Sequence, residues 1–422
     1  MRGRWALSGL MILLSLPPFV SAQIRLDVIG PGGAGIPIAV SPLQDLGGES
    51  ARPGETFADV VARDLDLSGF FKVIDRGAYI EGPAPVSAEE INFQDWATLN
   101  AYVLVKGGFS FAGDSLTAEV RLFDVAGRKQ LGGKRYRGER KDMRRMAHRF
   151  ADEIMRILTG ELGPFDSQIA FVSTRGGGRA KNLYLTDLTG TEVTQITKER
   201  TLNLGPNWNP TGNMLSYFSY KQGGPYPYRL ELYNGRESRL SPLIGYKSRW
   251  SPDGTMIAAS LEQDGNSDIY LLSPEGRIIQ RLTENSDIDI SPTWSPNGEE
   301  IAFCSSRTGG PQIYIINIHT SRTQRLTFKG DYNTSPAWSP KGDLIAYVTR
   351  SGGFQIMTIS PSGGDPKEVT SGEDPSWSPD GRYLVFSSGG RLRVASKEGR
   401  SVKQLTAGGG DDSSPAWSPR LE

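Results

Sequence analysis

A tryptophan-centred phrase recurs along the C-terminal part of the chain, and it constrains the fold more than any other feature. It reads Trp250-Ser251-Pro252-Asp253-Gly254, Trp294-Ser295-Pro296-Asn297-Gly298, Trp338-Ser339-Pro340-Lys341-Gly342 and Trp377-Ser378-Pro379-Asp380-Gly381. A weaker copy, Trp208-Asn209-Pro210-Thr211-Gly212, comes first, and Trp417-Ser418-Pro419 comes last. Successive tryptophans are 42, 44, 44, 39 and 40 residues apart, a period that belongs to repeats of four-stranded blades. Proline fixes the backbone at the second turn position, and glycine supplies the left-handed residue that follows. Each phrase therefore predicts a tight hairpin, with the tryptophan on the strand that enters it. A strand-like run follows each phrase but the last, as in Ile257-Ala258-Ala259-Ser260 and Ile301-Ala302-Phe303-Cys304-Ser305. The six indoles suit packing between blades, because their periodicity is stricter than a ligand-binding ladder needs. The first unit, from Ile169 to about Thr197, lacks a Trp strand before it, and the Trp417 strand lacks a partner after it. Six blades are expected, the last strand completing the first blade and removing open sheet edges.

The N-terminal part has a different character. Arg2 and Arg4, the apolar run Leu10–Leu16 and the small residues Val20-Ser21-Ala22 read as an export signal over residues 1–22. The apolar run is shorter than the roughly 20 residues a membrane span needs. Residues 23–35 hold an alternating strand, Ile24-Arg25-Leu26-Asp27-Val28-Ile29, on a glycine-rich tether. Such an arm is suited to strand addition on another sheet or to docking on its own domain. Residues 36–160 alternate helix and strand patterns, which predicts a small α/β domain ahead of a propeller over 161–422. Leu116–Phe123 pairs in this reading with Tyr102–Gly107, and the basic run Lys134–Arg145 is expected to be a solvated approach to a helix carrying Met143, Phe150 and Ile154.

The chemistry of enzymes is sparse. There are two histidines, His148 and His319, and one cysteine, Cys304, which sits inside a strand and reads as buried. No G-x-S-x-G elbow, metal-ligand spacing or phosphate loop occurs, so no catalytic residue, metal or cofactor is expected. With 47 basic and 47 acidic side chains the formal charge is zero, which argues against a general attraction to nucleic acid. The loops entering the Trp strands should gather at one channel mouth, and they are polar and acidic. They carry Asp287, Asp289, Tyr332, Asn333, Thr334, Asp374, Asp411 and Asp412, which become candidates for binding a protein partner. Asp287 with Asp289, or Asp411 with Asp412, would serve the alternative of a propeller hydrolase or lyase using loop carboxylates and calcium. Solvated loop acids are the plainer reading.

The junction Ala147-His148-Arg149 to Leu158-Thr159-Gly160, followed by Ile169-Ala170-Phe171-Val172-Ser173 and the six Trp repeats, resembles the TolB family of the Tol-Pal system in Gram-negative bacteria. The resemblance covers nearly the whole mature chain. It implies a monomeric, non-enzymatic scaffold in the periplasm that supports outer-membrane integrity and cell division. In that family the N-terminal arm binds the inner-membrane protein TolA, which maps onto Ile24, Arg25, Leu26, Asp27, Val28 and Ile29 here. The channel mouth binds the peptidoglycan-associated lipoprotein Pal and is exploited by some colicins, which maps onto the eight loop residues above. Asp27 stands where the family's arm is usually apolar, and Leu243–Arg249 lacks the family's usual Gly-His-Asn phrase.

Overall fold

A computed structural model describes residues 35–421, so the expected export signal and almost all of the arm, including Ile24 to Ile29, lie outside the described residues. The N-terminal domain is a mixed sheet with helices on it. Strand β1 (Ile36–Val40) lies parallel between β2 (Phe71–Val73) and β3 (Val103–Ala112). Strands β4 (Ser115–Asp124) and β5 (Lys129–Glu139) extend the sheet in antiparallel fashion. Helices α1 (Arg52–Ser68) and α3 (Met143–Thr159) cover one face, where Phe57 and Phe150 meet with ring centres 6.3 Å apart. The other face carries Trp96 and Phe93 of a short helix, Phe93–Thr98.

One sequence expectation fails here. Residues 134–139 of the basic run belong to β5, an exposed edge strand, and α3 begins only at Met143. From Arg135 to Glu139 the charges alternate with Tyr136 and Gly138, and the strand pairs with β4 from Ser115 to Asp124. Charged side chains on an edge strand hinder pairing with other chains, so the positive run is a sheet edge and not a helix face.

The remaining chain forms six four-stranded antiparallel sheets arranged as a ring. Blades 2 to 6 begin with the inner strands Asn203–Trp208, Gly245–Trp250, Asp289–Trp294, Asn333–Trp338 and Glu373–Trp377. Blade 1 takes its inner strand, Asp412–Trp417, from the end of the chain, and pairs it with Ile169–Ser173. The fold is thus a six-bladed propeller closed by the C-terminal strand behind a small α/β domain, and the expected hairpins follow the five repeat tryptophans from Trp208 to Trp377. In them the Gly254 N–H donates to the Ser251 carbonyl at 2.9 Å, with φ of 74° at the glycine.

The tryptophans hold neighbouring blades together in two alternating ways. In blades 2, 4 and 6 the residue before Trp has an acceptor side chain, and it takes the backbone N–H of the next blade's Trp. These bonds run from Trp250 to Asn207 (3.1 Å), from Trp338 to Thr293 (3.2 Å) and from Trp417 to Ser376 (3.0 Å). In blades 3, 5 and 1 that residue is Arg249, Ala337 or Ala416, with no side-chain acceptor. There the next indole Nε1 donates to its carbonyl, at 3.0, 2.8 and 3.0 Å for Trp294, Trp377 and Trp208. All six indoles are more than nine-tenths buried, which decides between packing and a ligand ladder in favour of packing.

The two domains share a core that runs from α1 and α3 into blades 1 and 6. A charged cluster lies within this contact. His148 of α3 donates Nδ1 to Asp64 of α1 at 2.7 Å and Nε2 to Asp187 of blade 1 at 3.3 Å, while Arg144 reaches Asp187 at 2.7 Å. Two donating ring nitrogens require the imidazolium. Burial alone would lower the His148 pKa, but the Asp64 and Asp187 carboxylates outweigh it and raise the value to about 10. On Asp187, burial is outweighed by the hydrogen bond and charge of His148, so its pKa is lowered.

Two measurements test these readings. Deleting residues 411–422 removes an inner strand and one indole, whose burial alone is worth about 4–6 kcal/mol. The truncated protein should melt well below the full chain, and equal melting would refute closure. Replacing His148 by Gln leaves Asp64 buried without its cation, at a cost of about 3 kcal/mol near neutral pH. Because the folded pKa lies above the unfolded one, the charge contribution is complete below about pH 6.5 and is lost as pH rises through about 10. The gap in melting temperature between wild type and His148→Gln should therefore close as pH rises through that window.

Candidate functional site

Each inner strand starts at one end of the channel, where its preceding loop contributes to a mouth. The eight candidate residues separate into two groups there. Asp289, Asn333 and Asp412 are the first residues of their strands and are fully buried or nearly so. Arg307 holds Asp289 at 2.9 Å and Arg175 holds Asp412 at 2.7 Å, whereas the Asn333 amide donates to Gln312 at 2.8 Å and to the Lys329 carbonyl at 2.9 Å. The plain reading of Asp289 and Asp412 as solvated loop acids is therefore corrected. Their carboxylates shape the loops and leave little for a partner or an ion.

Blades 1 and 4 build this arrangement identically. Arg175 bonds Ser173 through Nε and lies 5.1 and 5.5 Å from the ring centres of Phe171 and Tyr184; Arg307 does the same with Ser305, Phe303 and Tyr314. The signal was present in the sequence as Phe-x-Ser-x-Arg at 171–175 and 303–307, paired with an aspartate that opens an inner strand.

Of the other five, four reach the surface. Asp411 is exposed, Asp287 and Thr334 are partly exposed, and Tyr332 packs against Phe354 with its ring centre 6.3 Å away. Two side chains outside the candidate set stand beside them: Tyr246, 47 % exposed and donating to Glu262 at 2.6 Å, and Ile288, 54 % exposed. With Glu284, Asp331 and Glu373 also exposed, the mouth is acidic and carries aromatic and aliphatic anchors.

Asp374 lies deeper, inside the channel. A bulge in most inner strands places one left-handed residue at the lumen: Gly205, Ser291, Ser335, Asp374 and Ser414, with φ of 60°, 59°, 51°, 50° and 47°. A proline follows each of them. Blade 3 departs from this pattern, with Lys247-Ser248-Arg249 before Trp250. Lys247 spans the lumen to Asp374 of blade 6, three blades away, at 3.1 Å, and Ser414 completes the contact at 2.9 Å. The charge of Lys247, ahead of the opposing cost of burial, holds the Asp374 carboxyl below its ordinary pKa. Beside this bridge the pocket between Gly205, Pro206 and Pro415 holds only about 10 Å³. The channel is thus divided into a loop mouth and, at the hairpin end, a funnel of about 490 Å³.

Among the described residues, no three His, Cys, Asp or Glu side chains form a group able to hold a metal ion. Cys304 is buried, with Sγ 3.6 Å from the Asn333 carbonyl, and His148 sits in the domain contact.

Known proteins match this geometry. A family model described as the TolB beta propeller domain matches residues 155–421, and one described as the TolB amino-terminal domain matches 24–131. The chain belongs to the TolB family. A Tol-Pal system protein TolB of Desulfosudis oleivorans is 38 % identical over 282 residues, covering 65 % of this chain and 64 % of that protein. The corresponding protein of Geobacter sulfurreducens is 40 % identical over 208 residues, 49 % of this chain and 48 % of its own length. The chain thus spans between about half and two thirds of the curated TolB relatives it matches. The crystal structure of TolB from Acinetobacter baumannii is 27 % identical, with a TM-score of 0.80 over 93 % of this chain and 98 % of that one. A chain from the crystal structure of a nidogen/laminin complex, at 10 % identity and a TM-score of 0.51 over 61 % of this chain, shares the fold alone.

Asp412 offers the direct test of the buried mouth pairs. Replacing it with Ala strands the Arg175 guanidinium and should cost about 3 kcal/mol in chemical denaturation. Replacing exposed Asp411 with Ala should change stability by less than about 0.5 kcal/mol. Equal effects would show that the pair does not organise the loop.

Proposed function

We propose that the mature chain is a periplasmic scaffold of the Tol-Pal system, without catalytic activity. In this reading it binds a Pal-type peptidoglycan-associated lipoprotein at the loop mouth and a TolA-type protein through its arm, and so supports outer-membrane integrity during division. The observation that carries the reading is the mouth of a closed ring, where acidic groups surround exposed Tyr246 and Ile288. Charged rims orient an approaching partner, and a few apolar anchors at the centre supply most of the affinity. Among the eight loop candidates, Asp287, Tyr332, Thr334 and Asp411 are the contact residues in this proposal, whereas Asp289, Asn333 and Asp412 hold the loops in shape. Asp374 contributes from below, through the channel bridge. Colicins that target this mouth would meet the same residues.

The arm, Ile24 to Ile29, would add as a strand to a TolA-type sheet, since its alternation suits edge pairing. No described helix is long and apolar enough to cross a membrane, so contact with either membrane would come through partners in this proposal. The alternative of a calcium-dependent propeller hydrolase or lyase loses support because Asp289 and Asp412 are committed to arginines.

The test uses the mature protein and immobilised Pal-type and TolA-type domains. Replacing Tyr246 and Ile288 together with Ala should weaken Pal-type binding by about thirtyfold or more, the size of a two-residue hot spot, and spare TolA-type binding. Deleting residues 23–31 should do the reverse. Failure of the unmodified protein to retain a Pal-type domain at low salt would overturn the proposal.

A further inference from the structure

The hairpin end of the channel has a function of its own in the geometry. Its funnel is lined by the six indoles and by Pro210, Pro252, Pro296, Pro340, Pro379 and Pro419. A volume of about 490 Å³ falls within the range of small-molecule sites; the indoles, packed between blades, show it only a small part of each ring, and the proline rings complete an apolar wall. The Lys247–Asp374 bridge crosses the inner end, so the funnel is a cup with a polar floor.

One charge faces this cup without an opposite charge bound to it. Arg249 lines both the funnel and the narrow level below it. Among the described residues, its guanidinium makes one hydrogen bond, from Nη1 to the neighbouring Ser248 carbonyl at 3.3 Å. Asp374 is the nearby carboxylate, but its two oxygens are occupied by Lys247 and by the Ser414 hydroxyl. Lys247 and Arg249 against Asp374 leave the lumen with one excess positive charge, in a protein whose formal net charge is zero. The equivalent positions in the other blades are Asn207, Thr293, Ala337, Ser376 and Ala416, all neutral, so the cation is particular to blade 3. Burial pulls the Arg249 pKa down to about 10, with Asp374 only partly offsetting it, and the side chain remains charged at neutral pH. Two wall indoles, Trp250 and Trp338, also keep Nε1 without an acceptor.

We propose that the funnel is a binding site for a small organic anion, a carboxylate carried on a flat apolar body, with Arg249 as its anchor. The carboxylate meets the guanidinium at the floor and the body rests on the proline rings and the exposed parts of the indoles. The site is separate from the loop mouth, since the channel bridge stands between them, and it holds whether or not a Pal-type protein binds there.

The full mature chain with phenylacetate as probe tests this, because six of its tryptophans line the funnel and report occupancy by their emission. Saturable quenching by phenylacetate is expected, with phenylacetamide and phenethylamine at least about tenfold weaker, the contribution of one charge-assisted hydrogen bond. Arg249→Met should bind phenylacetate about tenfold more weakly or worse and melt no lower than the wild type, since it removes a buried charge that lacks its own partner. Should that variant fold poorly, Pro340→Glu places a negative charge on the exposed rim and should weaken binding of the acid while leaving the amide unchanged. Equal affinity for acid and amide, unchanged binding in either variant, or no saturable response at millimolar probe would overturn the proposal.

Discussion

The ring depends on how one blade grips the next, and that grip is made at the residue before each tryptophan. A propeller has no continuous hydrogen-bonded ladder between blades, so lateral cohesion falls to packing and to a few polar bonds. Here those bonds alternate between two forms. An Asn, Thr or Ser side chain accepts from the next backbone N–H, or an Arg or Ala carbonyl accepts from the next indole. Each bond is worth about 1 kcal/mol, and each indole adds several times that by burial. Six such joints need a closed circle to be satisfied together, which is why the chain's last strand has to return to the first blade.

This requirement explains why the fold was legible in the sequence. Tryptophan spacing, hairpin chemistry and the unmatched strands at Ile169 and Trp417 are local signals whose consequence is global. The α/β domain was less legible at Lys134 to Glu139, because abundant positive charge concealed a two-residue period that became decisive only once β4 lay beside it. At the mouth, residue type was a poor guide to exposure. Asp287 and Asp289 are two positions apart in one loop, yet the first is partly exposed and the second is buried against Arg307. The arginines that bury Asp289 and Asp412 lie 18 positions further along the chain in one case and 237 positions back in the other. Tyr246 and Ile288 were passed over because an exposed apolar residue cannot be told from a core one by its identity.

Blade 3 shows a departure from a repeat that carries information. Where the other inner strands have a left-handed residue followed by proline, it has Lys247 and Ser248, and it adds Arg249 at a position that is neutral elsewhere. A repeat under packing constraint tolerates such a triplet only where the lumen can balance it. Asp374 balances Lys247 from the opposite blade, and the left-handed backbone at Asp374 aims its carboxylate inward. The bridge ties diametrically opposed blades and separates the two ends of the channel. Arg249 remains on the hairpin side with its charge uncompensated.

Blade 1 joins the remaining parts. Its inner strand is held at the mouth by Arg175 on Asp412 and at the opposite end by the Trp417 indole donating to Ser167 at 2.8 Å. Ser167 belongs to the segment between the domains, where Asp152 of α3 accepts the backbone N–H groups of Phe165 and Asp166 at 2.8 and 2.9 Å. On the outer side of the same blade, Asp187 receives His148 and Arg144. At about 3.3 Å per residue, the strand from Asp412 to Trp417 spans under 20 Å between the mouth and the domain contact. The strand that closes the ring is therefore also a short hydrogen-bonded route between the mouth loops and the N-terminal domain, beside the covalent one through Ile169–Ser173. A mouth ligand that moved Asp411 would have to strain either the Arg175 pair or the Trp417 anchor. That gives the chain's last strand a physical means of linking the two ends of the molecule.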